Sequence, residues 1–219
     1  MNRQDNLVDF LVKKGALEFG NYILRSGRES TYFFDTGKIT DASGLSRLGR
    51  ELVSQLPENT DIIFGPAYKG IPLAIVTCMR LFNSGGPDLE YAFNRKEEKT
   101  HGDKNRIIGA EIRDDFNIAL VDDSFTTGGT QYESVDLLRN TARVKIEKLI
   151  VLLDRQEVDL NGNDAVEEFT KKTGVYVSPV LSIRDFHDYF LRNNHPEKAK
   201  KIEEHLKKYG AKESTKWIN

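Results

Sequence analysis

The 219 residues carry 32 Lys and Arg against 34 Asp and Glu, a formal net charge of −2, and 38% of them are apolar. That length supports one sizeable core and is short for two. The near-neutral balance supplies no global basic field for nucleic acid or an anionic membrane, and no stretch approaches the ~20 apolar residues of a membrane-spanning helix.

The first six residues are polar and lead into a mixed segment, which does not read as a signal peptide. The single cysteine, Cys78, lies in an apolar run and has no partner for an internal disulfide, so it reads as a buried small hydrophobe. A cytoplasmic, reducing compartment is the simplest expectation.

In chain order, Leu7, Val8, Phe10 and Leu11 outline an amphipathic helix that Gly15 ends. Two short β-like pieces follow at 22–24 and 31–34, separated by a turn-prone stretch at 26–30. Ser43 is the expected cap of a helix reaching about residue 55. From there strands alternate with helices: strand 61–64, helix 70–82, strand 89–93, a charged loop at 95–106, strand 117–121, helix 129–140 and strand 148–153. Helix 164–172, strand 175–179 and helices near 182–191 and 196–209 complete the series, and the lysine-rich tail from Lys198 onward reads as an amphipathic helix packed on the core. Apolar strands alternating with helices predict an α/β fold with a mostly parallel central sheet flanked by helices. Residues 1–40 break the alternation and are expected to form a small N-terminal cap on that one domain.

Ligands of open parallel sheets sit beyond the carboxyl ends of the strands. Four unusual loops leave such ends, at 65–70, 94–101, 122–130 and 154–157, and they should converge on one crevice. The most specific is Val121-Asp122-Asp123-Ser124-Phe125-Thr126-Thr127-Gly128-Gly129-Thr130, which runs into a helical pattern. An acid pair alone simply ends many strands. Here it is followed by glycines that let backbone N–H groups approach a ligand, hydroxyls that bond phosphate oxygens, and a helix N-terminus that favours an anion. Carboxylates beside a phosphate cup suit a phosphorylated sugar. The loop is neither a Walker motif nor a dinucleotide fingerprint, so nucleoside triphosphatase and dehydrogenase readings lose ground.

Two further loops carry cations. Phe64-Gly65-Pro66-Ala67-Tyr68-Lys69-Gly70 is a tight turn with a lysine at a strand-to-helix junction. Residues 95–106 hold five Lys or Arg against three Asp or Glu, with Arg95, Lys96, Lys99 and His101 inside seven positions. Such a run is ordinarily a solvated surface loop. A loop that closes over a departing polyphosphate would use the same residues to neutralise charge.

The segment 121–130 resembles the phosphoribosyl pyrophosphate (PRPP) motif of type I phosphoribosyltransferases. With segments 24–34, 64–72, 92–102 and 153–157, the chain is similar to the orotate phosphoribosyltransferase family, especially its bacterial and fungal branch. That resemblance implies the type I phosphoribosyltransferase fold with a hood over the site. It also implies transfer of phosphoribose from PRPP to orotate, giving orotidine 5′-monophosphate and pyrophosphate in de novo pyrimidine (UMP) biosynthesis. Mg²⁺ is the implied cofactor, held mainly by substrate and water, with no direct side-chain ligation expected.

The same resemblance assigns roles. Lys99, His101, Asp122 and Asp123 are the implied catalytic residues. PRPP contacts fall to Arg25, Tyr68, Lys69, Arg95, Lys96, Lys99, His101, Asp122, Asp123, Ser124, Phe125, Thr126, Thr127, Gly128, Gly129 and Thr130. Orotate contacts fall to Arg25, Phe33, Phe34, Thr126 and Arg155, the last pairing with the orotate carboxylate. A non-proline cis peptide is expected at Ala67–Tyr68. A homodimer is implied, in which the 95–106 loop completes the partner's site, with no nucleic acid or membrane partner.

Departures from the family pattern are Arg25 in place of a usual lysine, Thr31 in place of a common proline, Ser124-Phe125 in place of two aliphatic residues, and a glycine-poor loop tip at 103–105. The alternatives are a phosphoribosyltransferase for another base and a non-catalytic regulator that senses PRPP. The first lacks a reason for Phe33, Phe34 and Arg155 together. The second would usually lose the cationic loop or carry a basic recognition helix.

Overall fold

The computed structural model describes residues 3–24, 26–96 and 106–218. The chain opens with α1 (Arg3–Lys13), the antiparallel hairpin β1 (Leu17–Ile23) and β2 (Glu29–Phe34), and α2 (Ala42–Val53). Asp41, not Ser43, caps α2: its carboxylate accepts from Gly44 N and from the Ser43 hydroxyl. A charged acceptor two residues upstream outcompetes the serine. Then follow β3 (Ile62–Phe64), α3 (Gly70–Asn83), β4 (Glu90–Asn94), β5 (Ile107–Gly109), β6 (Asn117–Phe125), α4 (Gly129–Thr141), β7 (Lys145–Asp154), α5 (Ala165–Thr173), β8 (Tyr176–Ser182), α6 (Ile183–Arg192) and α7 (Pro196–Tyr209).

The six-stranded sheet runs in the order β5-β4-β3-β6-β7-β8, parallel throughout except for the β4–β5 edge. Both faces are covered, and the strands alternate between two cores. Ile62, Phe64, Ile118, Leu120, Leu149 and Val151 face α4 and α5. Ile63, Val121, Ile150 and Leu152 face the opposite core, which takes in α1, α2, α3, α6 and α7. This is why the strand sequences read as unbroken apolar runs. Strand order grows in opposite directions from the neighbouring pair β3 and β6, so the chain's switch point lies between them.

The cap is larger than the N-terminal residues predict. α7 packs on β2, and α1 packs on α6. The Thr31 hydroxyl donates to the carbonyl of Lys201, and Tyr189 donates to Asp9. The C-terminal helices are therefore the outer wall of the cap. Cys78 is buried as predicted, with its thiol pushed up to about 11 by burial. Among the described residues no helix is long and apolar enough to cross a membrane.

Candidate active site

The carboxyl ends of β3, β6 and β7 and the inner edge of the hairpin enclose a cleft of about 390 Å³. Its lining includes Phe33, Phe34, Tyr68, Lys69, Lys96, Asp122, Asp123, Ser124, residues 126–131 and Arg155. The four loops singled out by sequence do converge, with the described part of the 94–101 loop represented by Lys96.

The floor is the end of β6, which continues through both acids to Phe125. Asp122 is buried; it accepts from the backbone N–H of Asp123 at 2.8 Å and from Gln131 Nε2 at 2.7 Å. Burial, reinforced by the charge of Asp123, pushes its carboxyl up to about 8. Asp123 is also raised by burial, though Lys69 works against the shift. Two buried carboxylates side by side disfavour double ionisation, and a cation beside them offsets that cost.

Lys69 crosses the cleft. Its Nζ lies 3.0 Å from Asp123 Oδ2 and 3.2 Å from Asp35 Oδ1, donates to the Phe34 carbonyl at 3.3 Å, and sits 4.9 Å from the centre of the Phe33 ring. Burial alone would lower its pKa; Asp123 and Asp35 overcome that and hold it above the ordinary lysine range. The loop that carries it is tight. A Cβ on Gly65 would stand 2.1 Å from the Gly70 carbonyl oxygen, so only glycine fits. The Ala67–Tyr68 peptide is cis, as expected, and Asn94 Oδ1 accepts from the Ala67 N–H at 2.9 Å.

At the start of α4, Gly128 adopts a left-handed conformation with φ 80°, and no side chain caps the helix. Hydroxyls of Ser124, Thr126 and Thr127 border the same space. A helix N-terminus dressed with hydroxyls and glycines is an anion cradle. The Phe125 ring faces away from the cleft: it is 1% exposed and packs edge-on against Phe169. Its ring tip would meet a Cβ on Gly128 at 2.9 Å, so it supports the loop from beneath.

The opposite wall carries Arg155, 2% exposed, with Nε donating to Glu157 at 2.7 Å and Nη2 to the Ser30 hydroxyl at 3.0 Å. Phe33 stacks on Tyr22, while Phe34 is buried against Phe186. Tyr68 is exposed, and Lys96 lies 4.4 Å over its ring. Arg95 stands at the root of its loop, its N–H donating to the Arg106 carbonyl. Arg25, Lys99 and His101 lie outside the described residues. Asp35, Asn94 and Gln131 are site residues that sequence reasoning missed. Asn94 is the first residue of the marked 94–101 loop and Gln131 directly follows the 122–130 loop, which was the available signal.

A family model for the phosphoribosyl transferase domain matches residues 35–175. The chain is 34% identical over 210 residues to the orotate phosphoribosyltransferase of Methylococcus capsulatus, spanning 94% of this chain and 97% of that protein. It is 35% identical over 215 residues to that of Colwellia psychrerythraea, spanning 94% and 96%. The crystal structure of Francisella tularensis orotate phosphoribosyltransferase matches with a TM-score of 0.75 at 30% identity, over 94% of this chain and 100% of that one.

Proposed function

The chain belongs to the orotate phosphoribosyltransferase family, and on that premise we propose that it transfers the phosphoribosyl group of PRPP to orotate, releasing orotidine 5′-monophosphate and pyrophosphate. One juxtaposition carries the reading: the acid pair and phosphate cradle of residues 122–130 share a cleft with an arginine, Arg155, and the aromatic pair Phe33 and Phe34. A sugar phosphate fits the first half and a planar anionic base fits the second.

In this reading the cradle at 126–130 holds the 5-phosphate and the carboxylates of Asp122 and Asp123 take the ribose hydroxyls. Orotate lies along Phe33 and Phe34 with its carboxylate on the Arg155 guanidinium, whose fork matches that group. The base nitrogen attacks the anomeric carbon while the bond to pyrophosphate breaks, and the proton of the ring N–H passes to the departing pyrophosphate or to solvent. Positive charge developing on the ribose is offset by the floor carboxylates, and the leaving group by Lys69, Lys96 and the cations of the 95–106 loop. Lys69 must release Asp123 as ribose enters, exchanging one anion for another.

Magnesium fits the floor. Asp123 Oδ2 is buried and, apart from the Lys69 ion pair, accepts no hydrogen bond among the described residues, which leaves a hard oxygen for a hydrated cation or a ribose hydroxyl. When bound with PRPP, Mg²⁺ would neutralise pyrophosphate charge, with Asp122 and Asp123 orienting the ribose it shares. The assembly is read as a cytoplasmic homodimer in which Arg95, Lys96, Lys99 and His101 reach the partner's site. A base screen with PRPP and Mg²⁺ tests the function: orotate should be consumed, and hypoxanthine, adenine and uracil left intact. Turnover of one of those instead of orotate would overturn it.

A further inference from the structure

Arg155 does not stand alone at the cleft wall. Glu157 Oε1 accepts from its Nε at 2.7 Å and from His205 Nε2 at 2.8 Å, and Glu157 Oε2 accepts from Arg28 Nη1 at 2.9 Å. Arg155 lies 4.2 Å over the Tyr32 ring, whose edge meets the His205 ring at 5.0 Å. Glu157 and His205 are each 2% exposed. The backbone is stitched at the same place: Val158 N donates to the Tyr209 carbonyl and Ala211 N to the Gln156 carbonyl, while the Gln156 amide donates to the Ser214 carbonyl.

We propose that α7 sets base selectivity through a Glu157–His205 relay that holds Arg155, making Glu157 and His205 positioning residues of the site; this rests on the orotate reading above. An arginine discriminates a carboxylate only when its plane is fixed, because a mobile guanidinium would lose the fork geometry and spend binding energy on its own ordering. Here Nε is tied from behind, the plane is clamped on Tyr32, and the clamp is anchored on the C-terminal helix. One carboxylate, Glu157, ties two guanidiniums, Arg28 and Arg155, so the same group that fixes the Arg155 plane also anchors the wall to the hairpin. His205 Nε2 also lies 3.3 Å from Arg155 Nη2, but the closer contact is with the carboxylate, and the tautomer with hydrogen on Nε2 satisfies Glu157.

The test is steady-state kinetics on the full-length enzyme with orotate and PRPP varied in turn. His205→Phe keeps the ring against Tyr32 and removes the bond; Glu157→Gln keeps the shape and removes the charge. Each should raise KM for orotate about tenfold or more while KM for PRPP stays within about twofold, and His205→Gln, which retains a donor, should recover most of the loss. Equal effects on both substrates, or thermal destabilisation with both KM values unchanged, would overturn the relay. If His205→Phe fails to fold, the orotate-against-PRPP split in His205→Gln and Arg28→Lys decides by the same criterion. A wild type without orotate turnover overturns the orotate reading and the relay with it, whereas normal turnover with unsplit KM values overturns the relay alone.

Discussion

The ammonium of Lys69 is 3.0 Å from Asp123 Oδ2, linking the turn after β3 to the end of β6 across the switch point of the sheet. Both residues line the cleft, and each neutralises the other there. If Lys69 offsets the charge of the leaving group as proposed, Lys69→Met should act twice, removing that cation and leaving Asp123 without its counter-charge. Turnover is expected to fall ~10²-fold or more, the scale of losing one preorganised stabilising group. Single-turnover kinetics at saturating PRPP would check it, and unchanged turnover would refute the role.

Asp122 gives a pH signature in the ligand-free protein. Its folded pKa of about 8 lies far above that of an unfolded aspartate. The folded state thus holds more protons between pH ~4 and ~8, and the contribution of this group to stability declines as pH rises through that window. Asp122→Asn removes the titration. Melting temperature followed from pH 5 to pH 8 should fall less for the variant than for the wild type; parallel curves would contradict the assignment.

Arg155→Leu should depress kcat/KM for orotate by ~10²-fold or more, because a site built to hydrogen-bond a polar group discriminates strongly when that partner is gone. PRPP binding, measured separately by calorimetry, should survive. Equal loss of PRPP affinity would mean that the substitution collapsed the cleft instead of removing base recognition.

If the 95–106 loop completes the partner's site, mixed dimers of Lys99→Ala and Asp123→Asn subunits should regain activity that neither parent has. One of the two sites in such a dimer would contain both wild-type residues. Verified mixed dimers with no recovery would show that each subunit's site is self-contained.

Much of this architecture was legible because local pattern and global fold agree. Apolar runs such as Leu149–Leu153 announce buried parallel strands, and the acid pair followed by Thr126-Thr127-Gly128-Gly129 marks a strand end, a cradle and a helix start. β5 was missed because three residues after a charged loop carry too little periodicity. Asp41 was missed as the cap of α2 because Ser43 is an equally plausible capping type in sequence. The Phe125 ring escapes a pattern reading because it breaks the alternation of β6: by position it belongs on the Val121 side, yet it packs with Ile118 and Leu120 in the core beneath Gly128. The relay from Arg155 through Glu157 to His205 spans 50 positions, and no spacing rule links an α7 histidine to the end of β7. Long-range polar contacts of this kind emerge only once the cap closes on the sheet.

If one cleft binds PRPP and selects orotate, the most direct measurement is product formation from orotate, PRPP and Mg²⁺, following orotate loss, pyrophosphate and nucleotide together. Equimolar orotidine 5′-monophosphate and pyrophosphate are expected, with strong loss in Arg155→Leu. Pyrophosphate release without consumption of orotate, or nucleotide formed from a neutral base in its place, would contradict the orotate reading.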